Sequence, residues 1–205
     1  MEIVTANSDN KSRILYLSGD VGAASISDIS KQLLDIIEFD TQMGEKLKKY
    51  EMQPIHLYIQ SFGGSVYDMW TLIDIIRSST TPIITYCSGY CMSAAALIFL
   101  AGHVRIMYKH SCIMFHQLCY GNVDKIKDFV LETHQAEQMH KEIIQYIKKS
   151  TKLGKKFFKR FDSKKEDIYL TAKECLKYGV CDDVVKNSHM REYIIQQVAE
   201  SDMEG

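Results

Sequence analysis

The chain alternates short apolar runs with amphipathic segments. Apolar runs of about four to eight residues are typical of buried strands, and apolar residues three and four positions apart are typical of one helix face. The predicted strands are Arg13–Leu17, Ile55–Gln60, Pro82–Cys87, Val104–Tyr108, Cys112–Gln117 and Val180–Val185. The predicted helices are one capped by Ser25 or Ser27, Val66–Arg77, Cys91–Leu100, Val123–Lys149, one from Thr171 to Gly179, and Tyr193–Val198. This alternation predicts an α/β fold with a largely parallel, buried sheet.

Composition narrows the function classes. The chain has 205 residues, of which 46% are apolar and only 2 are proline, so we expect one folded domain and no disordered linker. The formal net charge of −1 gives no basic surface for nucleic acid. A phosphate-binding G-x-x-x-x-G-K-[ST] motif is absent from the sequence, so ATP is not expected to bind here through such a loop.

The sequence also bears on location. The first residues are polar, and the most apolar stretch, 94–101, is too short to cross a bilayer, so we expect neither a signal peptide nor a membrane anchor. The cysteines form no C-x-x-C pair, which argues against a zinc site and favours free thiols in a reducing cytoplasm. They are Cys87, Cys91, Cys112, Cys119, Cys175 and Cys181.

Ser93 is a candidate nucleophile. It lies where a predicted strand turns into a predicted helix, and unpaired N–H groups in the first helical turn favour a developing oxyanion. A serine in this role needs a base, for which histidine is suited near neutral pH. Taken alone, the position is equally typical of a small residue at a helix start.

Two other features are candidates for the same site. The pair Gly63-Gly64 lies between a strand and a helix, where a glycine N–H can donate to an oxyanion, although an ordinary tight turn explains it too. His116 ends an apolar strand, a common place for reactive groups in α/β proteins, although a lone histidine is often structural. His134 and His140 are not spaced as a metal-binding pair, so we interpret both as solvated or contact residues.

An acid that orients the histidine is not fixed by the pattern. No G-x-S-x-G motif surrounds Ser93, which weakens an α/β-hydrolase interpretation. Periodicity does not choose among the candidate carboxylates, which are Asp162, Asp167, Asp182 and Asp183.

In combination, these pieces resemble ClpP, the proteolytic subunit of the ATP-dependent Clp protease, from about Ile14 to Val185. Four ordered blocks carry the resemblance. They are Tyr58-Ile-Gln-Ser-Phe-Gly-Gly-Ser65, Cys87-Ser-Gly-Tyr-Cys-Met-Ser-Ala94, Met114-Phe-His-Gln117, and Asp167-Ile-Tyr-Leu-Thr-Ala172 with Tyr178-Gly-Val-Cys-Asp182.

The resemblance implies a serine endopeptidase that degrades unfolded polypeptides to short peptides inside a closed ring chamber. It implies Ser93 as nucleophile, His116 as base and Asp167 as orienting acid. It further implies an oxyanion hole formed by the backbone N–H groups of Gly64 and Ala94. No metal or bound cofactor is needed.

The resemblance also implies an architecture of repeated ββα units shared with the crotonase superfamily. Residues 1–205 would form a single domain, with a head at about 13–122 and 154–186, a handle helix at about 123–150, and terminal extensions at 1–12 and 187–205. The handle, about 40 Å long at 1.5 Å per residue, would join two stacked heptameric rings of identical subunits. The implied partner is an AAA+ unfoldase, ClpX- or ClpA-like, which hydrolyses the ATP.

The sequence departs from the family at four positions near these blocks. Phe62 and Leu118 stand where the family usually has proline, and Cys91 and Met92 replace small alanines, which marks a divergent member. We expect these residues to change the pocket and the substrate-binding strand. Two alternatives stay open, namely a non-catalytic ring subunit, which peptide hydrolysis would exclude, and a crotonase-type acyl-CoA enzyme, which binding of CoA esters would reveal.

Overall fold

The computed structural model describes residues 12–118 and 126–185. The first part of the chain forms β1 (Ile14–Val21), α1 (Ala23–Lys46), β2 (Ile55–Gly64), α2 (Val66–Ser78), β3 (Ile83–Met92), α3 (Ala94–Phe99), β4 (Val104–Tyr108) and β5 (Cys112–Phe115). The second part forms α4 (Ile126–Ser150), α5 (Lys155–Phe158), a π-helical turn (Lys159–Ser163), β6 (Ile168–Thr171), α6 (Ala172–Lys177) and β7 (Asp183–Val185).

The strands form one sheet in the order β1-β2-β3-β4-β7, in which every neighbouring pair is parallel. β3 forks, because residues 84–87 pair with β4 whereas residues 90–92 pair with β5. β6 then pairs antiparallel with β5. The α/β fold with a largely parallel sheet is confirmed, and the fork at β3 creates the edge where the candidate residues lie.

The core lies between the sheet and the helices α1, α2 and α3. On β2, Ile55, Leu57 and Ile59 alternate with more exposed residues and are fully buried, as expected for one face of a pleated strand. The helices contribute buried aliphatic residues at helical spacing. These include Ile26, Ile29, Leu33, Ile36, Leu72, Ile73 and Ile76.

Three strands run further than the sequence pattern predicts. β1 continues through the predicted stop after Leu17, and β2 continues to Gly64. β3 continues to Met92, so the predicted helix start at Cys91 is wrong. Register shifts in the β1–β2 and β2–β3 ladders accommodate the turn-forming residues without ending these strands. Cys91 and Met92 then pair with β5.

The predicted cap of the first long helix is also wrong. α1 begins at Ala23 behind Gly22, so neither Ser25 nor Ser27 is its N-cap. The extension of β1 to Val21 leaves Gly22 as the single residue between strand and helix. Ser25 lies in the first turn instead, where its Oγ accepts a hydrogen bond from the Gly22 N–H at 3.1 Å.

Several elements from β5 onward are shorter than predicted, and others are not predicted at all. β5 ends at Phe115 rather than Gln117, and β7 begins at Asp183 rather than Val180. The predicted cap at Thr171 is confirmed, since its Oγ1 accepts from the Glu174 N–H at 3.4 Å. α5, the π-helical turn and β6 are not predicted, because charged residues interrupt their apolar pattern.

Two predicted helix positions cannot be compared with the structure. The long helix reaches Ser150 close to its predicted end, but its predicted start at Val123 lies outside the described residues. The predicted helix Tyr193–Val198 also lies outside them.

Candidate active site

Ser93 occupies a sharp turn between β3 and α3. Its backbone has φ 54° and ψ −124°, a conformation that residues with a side chain rarely adopt, so it is the N-cap of α3 and not part of the first helical turn. The Ser93 N–H donates to the Met114 carbonyl at 2.9 Å, and its own carbonyl accepts from the Ala96 N–H at 3.0 Å. The strained turn is therefore held from both sides, and it resembles the strand-to-helix elbow that exposes a nucleophile in other α/β enzymes.

The two glycines are required by the close approach of β2 to this turn. A Cβ on Gly63 would lie 2.8 Å from both the Met92 carbonyl oxygen and the Ser93 Cβ, and its φ is +104°. A Cβ on Gly64 would collide with the Val21 carbonyl, and its φ is +148°. The end of β2 thus passes directly beside Ser93, which a residue with a side chain could not do.

His116 reaches Ser93 through the pairing of β5 with β3. Met114 lies opposite Met92 in the parallel register, so His116 follows two residues beyond the partner of Met92. Its Nε2 lies 2.6 Å from the Ser93 Oγ, and the imidazole is half-buried. At this distance the hydroxyl can donate to the imidazole, which is the geometry for proton transfer from a serine to a general base.

Three of the four candidate carboxylates contact other groups. Asp162 contacts His140, with its Oδ1 3.1 Å from Nε2. Asp182 accepts from Arg105 at 2.6 and 2.9 Å, and although burial raises the pKa of this carboxyl, the bonds to Arg105 outweigh it and lower the pKa below the ordinary value. Asp183 accepts from the backbone N–H of Val184 in β7.

Asp167 is the carboxylate that the sheet register brings near His116. It directly precedes β6, whose antiparallel pairing with β5 sets Ile168 opposite Phe115. Extending that register by one residue sets Asp167 opposite His116. The Asp167 side chain is exposed.

The candidate oxyanion donors lie on either side of Ser93. The Ser65 N–H donates to the Val21 carbonyl at 2.7 Å. Gly64, the preceding residue, is the last residue of β2. Ala94 is the first residue of α3, where N–H groups have no partner within the helix. Gly64 and Ala94 both line the cavity beside Ser93.

A cavity of about 120 Å³ opens beside Ser93 and His116. None of the described residues that line it is a lysine, arginine, aspartate or glutamate, which suits an apolar side chain. The apolar wall consists of Val66, Met69, Leu97, Phe115, Leu118, Ile143, Ile147 and Phe161. Sequence reasoning missed Phe161, although its apolar spacing from Phe157 and Phe158 was a signal for a buried face.

The four divergent positions differ in their relation to the cavity. Leu118 lines the cavity, but Phe62, Cys91 and Met92 do not. Phe62 is 64% exposed and stacks on Tyr90 with ring centroids 4.3 Å apart. Cys91 points into the core, with its Sγ 3.5 Å from the Ile59 carbonyl. The expectation that these residues change the substrate-binding strand stays a prediction.

Metal ligands, thiols and membrane-spanning helices are the other features of the described residues that bear on function. Within residues 12–118 and 126–185, no three histidine, cysteine or acidic side chains are grouped so that they could hold a metal ion. Cys87, Cys91, Cys112, Cys175 and Cys181 are free thiols. None of the helices in these ranges is both long and apolar enough to span a membrane.

The fold and the site together define an α/β protein with a serine–histidine pair beside an apolar cavity. The family model described as Clp protease matches residues 4–188, and the chain belongs to that family. The resemblance seen in the sequence is thereby confirmed.

The relatives are proteolytic subunits of bacterial Clp proteases. The chain is 27% identical over 177 residues to the ATP-dependent Clp protease proteolytic subunit 1 of Rhodopirellula baltica, covering 85% of this chain and 73% of the relative. It is 26% identical over 175 residues to the proteolytic subunit of Bacteroides fragilis, covering 84% and 79%. It is 29% identical over 178 residues to proteolytic subunit 3 of a Synechococcus strain, covering 85% and 83%.

Proposed function

We propose that the protein is a serine endopeptidase that cleaves unfolded polypeptides. The observation that carries this proposal is the 2.6 Å contact between the Ser93 Oγ and the His116 Nε2 at a strained strand-to-helix turn. Membership of the Clp protease family supports a peptidase, and the distance supports the serine type.

The proposed mechanism assigns one role to each of three side chains. His116 takes the hydroxyl proton as the Ser93 Oγ bonds to the peptide carbonyl carbon, and Asp167 orients the imidazole and stabilises its charged form. The tetrahedral intermediate collapses when His116 gives the proton to the leaving amine and the peptide C–N bond breaks. Water, activated by His116, then hydrolyses the ester and frees Ser93.

Substrate binding uses the backbone and the apolar cavity. The N–H groups of Gly64 and Ala94 would donate to the oxyanion, a contribution of roughly 3–4 kcal/mol per donor in comparable enzymes. The cavity beside Ser93 would hold the side chain that precedes the scissile bond. Its lining by Met69, Leu97 and Phe161 favours an apolar side chain there.

Assembly is part of the same proposal. We infer one domain with the head and handle boundaries given above, assembled as two stacked heptameric rings that enclose the sites. The 25-residue α4 is about 38 Å long at 1.5 Å per residue, which suits a connector between rings. The relatives are named ATP-dependent, and this sequence has no P-loop, so a separate AAA+ unfoldase would hydrolyse the ATP. The free thiols suit a cytoplasmic location.

Hydrolysis of a fluorogenic peptide by the purified protein tests the proposal. We expect Ser93→Ala to lower kcat by about 10⁴-fold or more, because the nucleophile is removed. Ser88→Ala, on the same strand, is the matched control and should retain wild-type activity. Undiminished hydrolysis by Ser93→Ala would refute the serine mechanism.

Two further measurements address the rest of the proposal. Native mass spectrometry should show a fourteen-subunit species if the two heptameric rings form, and a monomer or dimer would contradict the ring assembly.

No observation favours the non-catalytic subunit or the acyl-CoA enzyme. A thermal shift with CoA esters, together with no hydrolysis by the wild type, would revive the latter.

A further inference from the structure

A histidine on α4 contacts the π-helical turn that carries one wall of the cavity. We propose that His140 and Asp162 form a brace that holds Phe161 in place, and that this brace sets the size of the apolar side chain accepted before the scissile bond. The inference rests on the proposed peptidase function. It makes His140 and Asp162 positioning residues, since they do not line the cavity themselves.

The brace is a hydrogen bond between α4 and the π-helical turn. His140 Nε2 lies 3.1 Å from Asp162 Oδ1, and the histidine side chain is only 13% exposed. The His140 Nδ1 is buried and has no hydrogen-bond partner among the described residues. Because a carboxylate oxygen only accepts, the contact requires an N–H on the His140 Nε2 that donates to Asp162.

The imidazole also supports the cavity wall directly. His140 stacks on Phe161, with ring centroids 5.7 Å apart and an angle of 21°. Phe161 is 1% exposed and stacks in turn on Phe157, whose ring meets the edge of Phe115. Since Phe115 directly precedes His116, these rings form a continuous layer from the brace to the catalytic strand.

The same helix face supplies a second wall. Ile143 and Ile147 line the cavity and lie three and seven positions after His140, so all three residues project from one face of α4. The brace therefore ties this wall to the wall formed by Phe161. A change in the bond would change the distance across the cavity.

The π-helical turn is a segment that needs external support. Its wide hydrogen bond runs from the Lys164 N–H to the Lys159 carbonyl, and Lys165 has a φ of 55°, which is unfavourable for a residue with a side chain. Such turns are rare because they are intrinsically less stable than α-helix. A hydrogen bond from α4 can therefore decide where Phe161 lies.

Steady-state kinetics with two matched fluorogenic peptides tests the brace. The peptides differ only in leucine or alanine before the scissile bond. His140→Ala and Asp162→Ala should each lower kcat/KM for the leucine peptide by roughly tenfold, mostly through KM, because a loosened pocket loses contacts with the larger side chain. The alanine peptide and the rate of Ser93 labelling by a fluorophosphonate should stay unchanged. His140→Gln keeps an N–H donor and should restore most of the preference.

His134→Ala is the control, because His134 lies on the same helix but is 74% exposed. Hydrogen exchange gives a readout that does not depend on hydrolysis, since amides of residues 159–166 should exchange faster in His140→Ala and not in His134→Ala. Equal behaviour of the brace variants and His134→Ala in both assays would overturn the inference. A parallel loss for both peptides and for labelling would also overturn it, because it would indicate general damage. Failure of the peptidase proposal differs, since wild-type protein would then match Ser93→Ala.

Discussion

The polar groups at the amino ends and at the carboxyl ends of the parallel strands have different environments. At the amino ends, Arg13 and Thr81 meet Asp40 from α1. At the carboxyl ends, Ser93 meets His116 beside the glycines of β2. The first group pairs a buried carboxylate with several donors on an unstrained backbone, whereas the second combines a strained backbone with the short contact between the Ser93 Oγ and the His116 Nε2.

The amino-end group is built for stability. Asp40 is fully buried and accepts from Arg13 at 2.6 and 2.9 Å, from Thr81 at 2.8 Å, and from the Tyr50 hydroxyl. Burial raises the pKa of Asp40, but the hydrogen bonds outweigh it and leave the pKa below its ordinary value. Such a carboxylate stays ionised and has no accepting position facing solvent.

The carboxyl-end group has the geometry that the proposed proton transfer requires. Ser93 keeps its unfavourable φ because Met114 and α3 hold its backbone, and its hydroxyl faces an imidazole that can accept a proton. The contrast teaches that a buried polar network alone does not mark function. Strain together with an acceptor that can be protonated is the better sign.

The largest effect in this comparison should come from Asp167→Asn. We expect kcat to fall by about 10³–10⁴-fold, because the imidazole would lose its orientation and the stabilisation of its charged form. Asp183→Asn, an exposed carboxylate on β7, is the control. Peptide hydrolysis is the measurement, and equal rates for the two variants would remove Asp167 from the mechanism.

A smaller effect is expected where β2 passes Ser93. Gly63→Ala should lower kcat by about 100-fold, since a displacement of about 1 Å at a catalytic group has that consequence. The added Cβ must push away Met92 or Ser93. Gly154→Ala, where an added Cβ meets nothing within 4 Å, is the matched control. Retained activity in Gly63→Ala would show that the close approach is not needed.

The smallest effect on hydrolysis should come from the amino-end group. Asp40→Asn should leave kcat unchanged and lower the free energy of unfolding at neutral pH by about 2 kcal/mol, because the half-buried Arg13 loses its charged partner. The folded-state pKa of Asp40 is lowered. Its stabilisation is therefore present above its unfolded pKa of about 3.9 and is lost as the pH falls through the lower folded value.

Denaturant unfolding at several pH values checks this sign. The difference between wild type and Asp40→Asn should shrink as the pH drops below about 4. A stability difference between wild type and Asp40→Asn that grows as the pH falls would contradict the distinction between the two ends of the strands. A large loss of activity in Asp40→Asn with the fold intact would also contradict it.

The sequence predicts the layers of this fold better than its turns. Strands such as Ile55–Gln60 are predictable because alternation marks one buried face. The sequence pattern predicts a helix at Cys91 and Met92, because a continuous apolar run has no periodicity that separates strand from helix. Their strand state depends on β5, about 20 residues later, which no local pattern contains.

The same limit applies to the site. Ser93, His116 and the glycines were candidates from local position, but their contact depends on the fork of β3. The contact of His140 with Asp162 spans 22 residues and involves an unpredicted π-helical turn. Residues of ordinary type at such separation leave no local signal, so the brace is visible only in three dimensions.

The central claim is that folding makes Ser93 a nucleophile with His116 as its base. Fluorophosphonate labelling of the purified protein, followed by peptide mapping, tests it most directly. The account predicts one adduct, on Ser93, which forms far more slowly in His116→Ala. An adduct on another residue, or an unchanged labelling rate in His116→Ala, would contradict it.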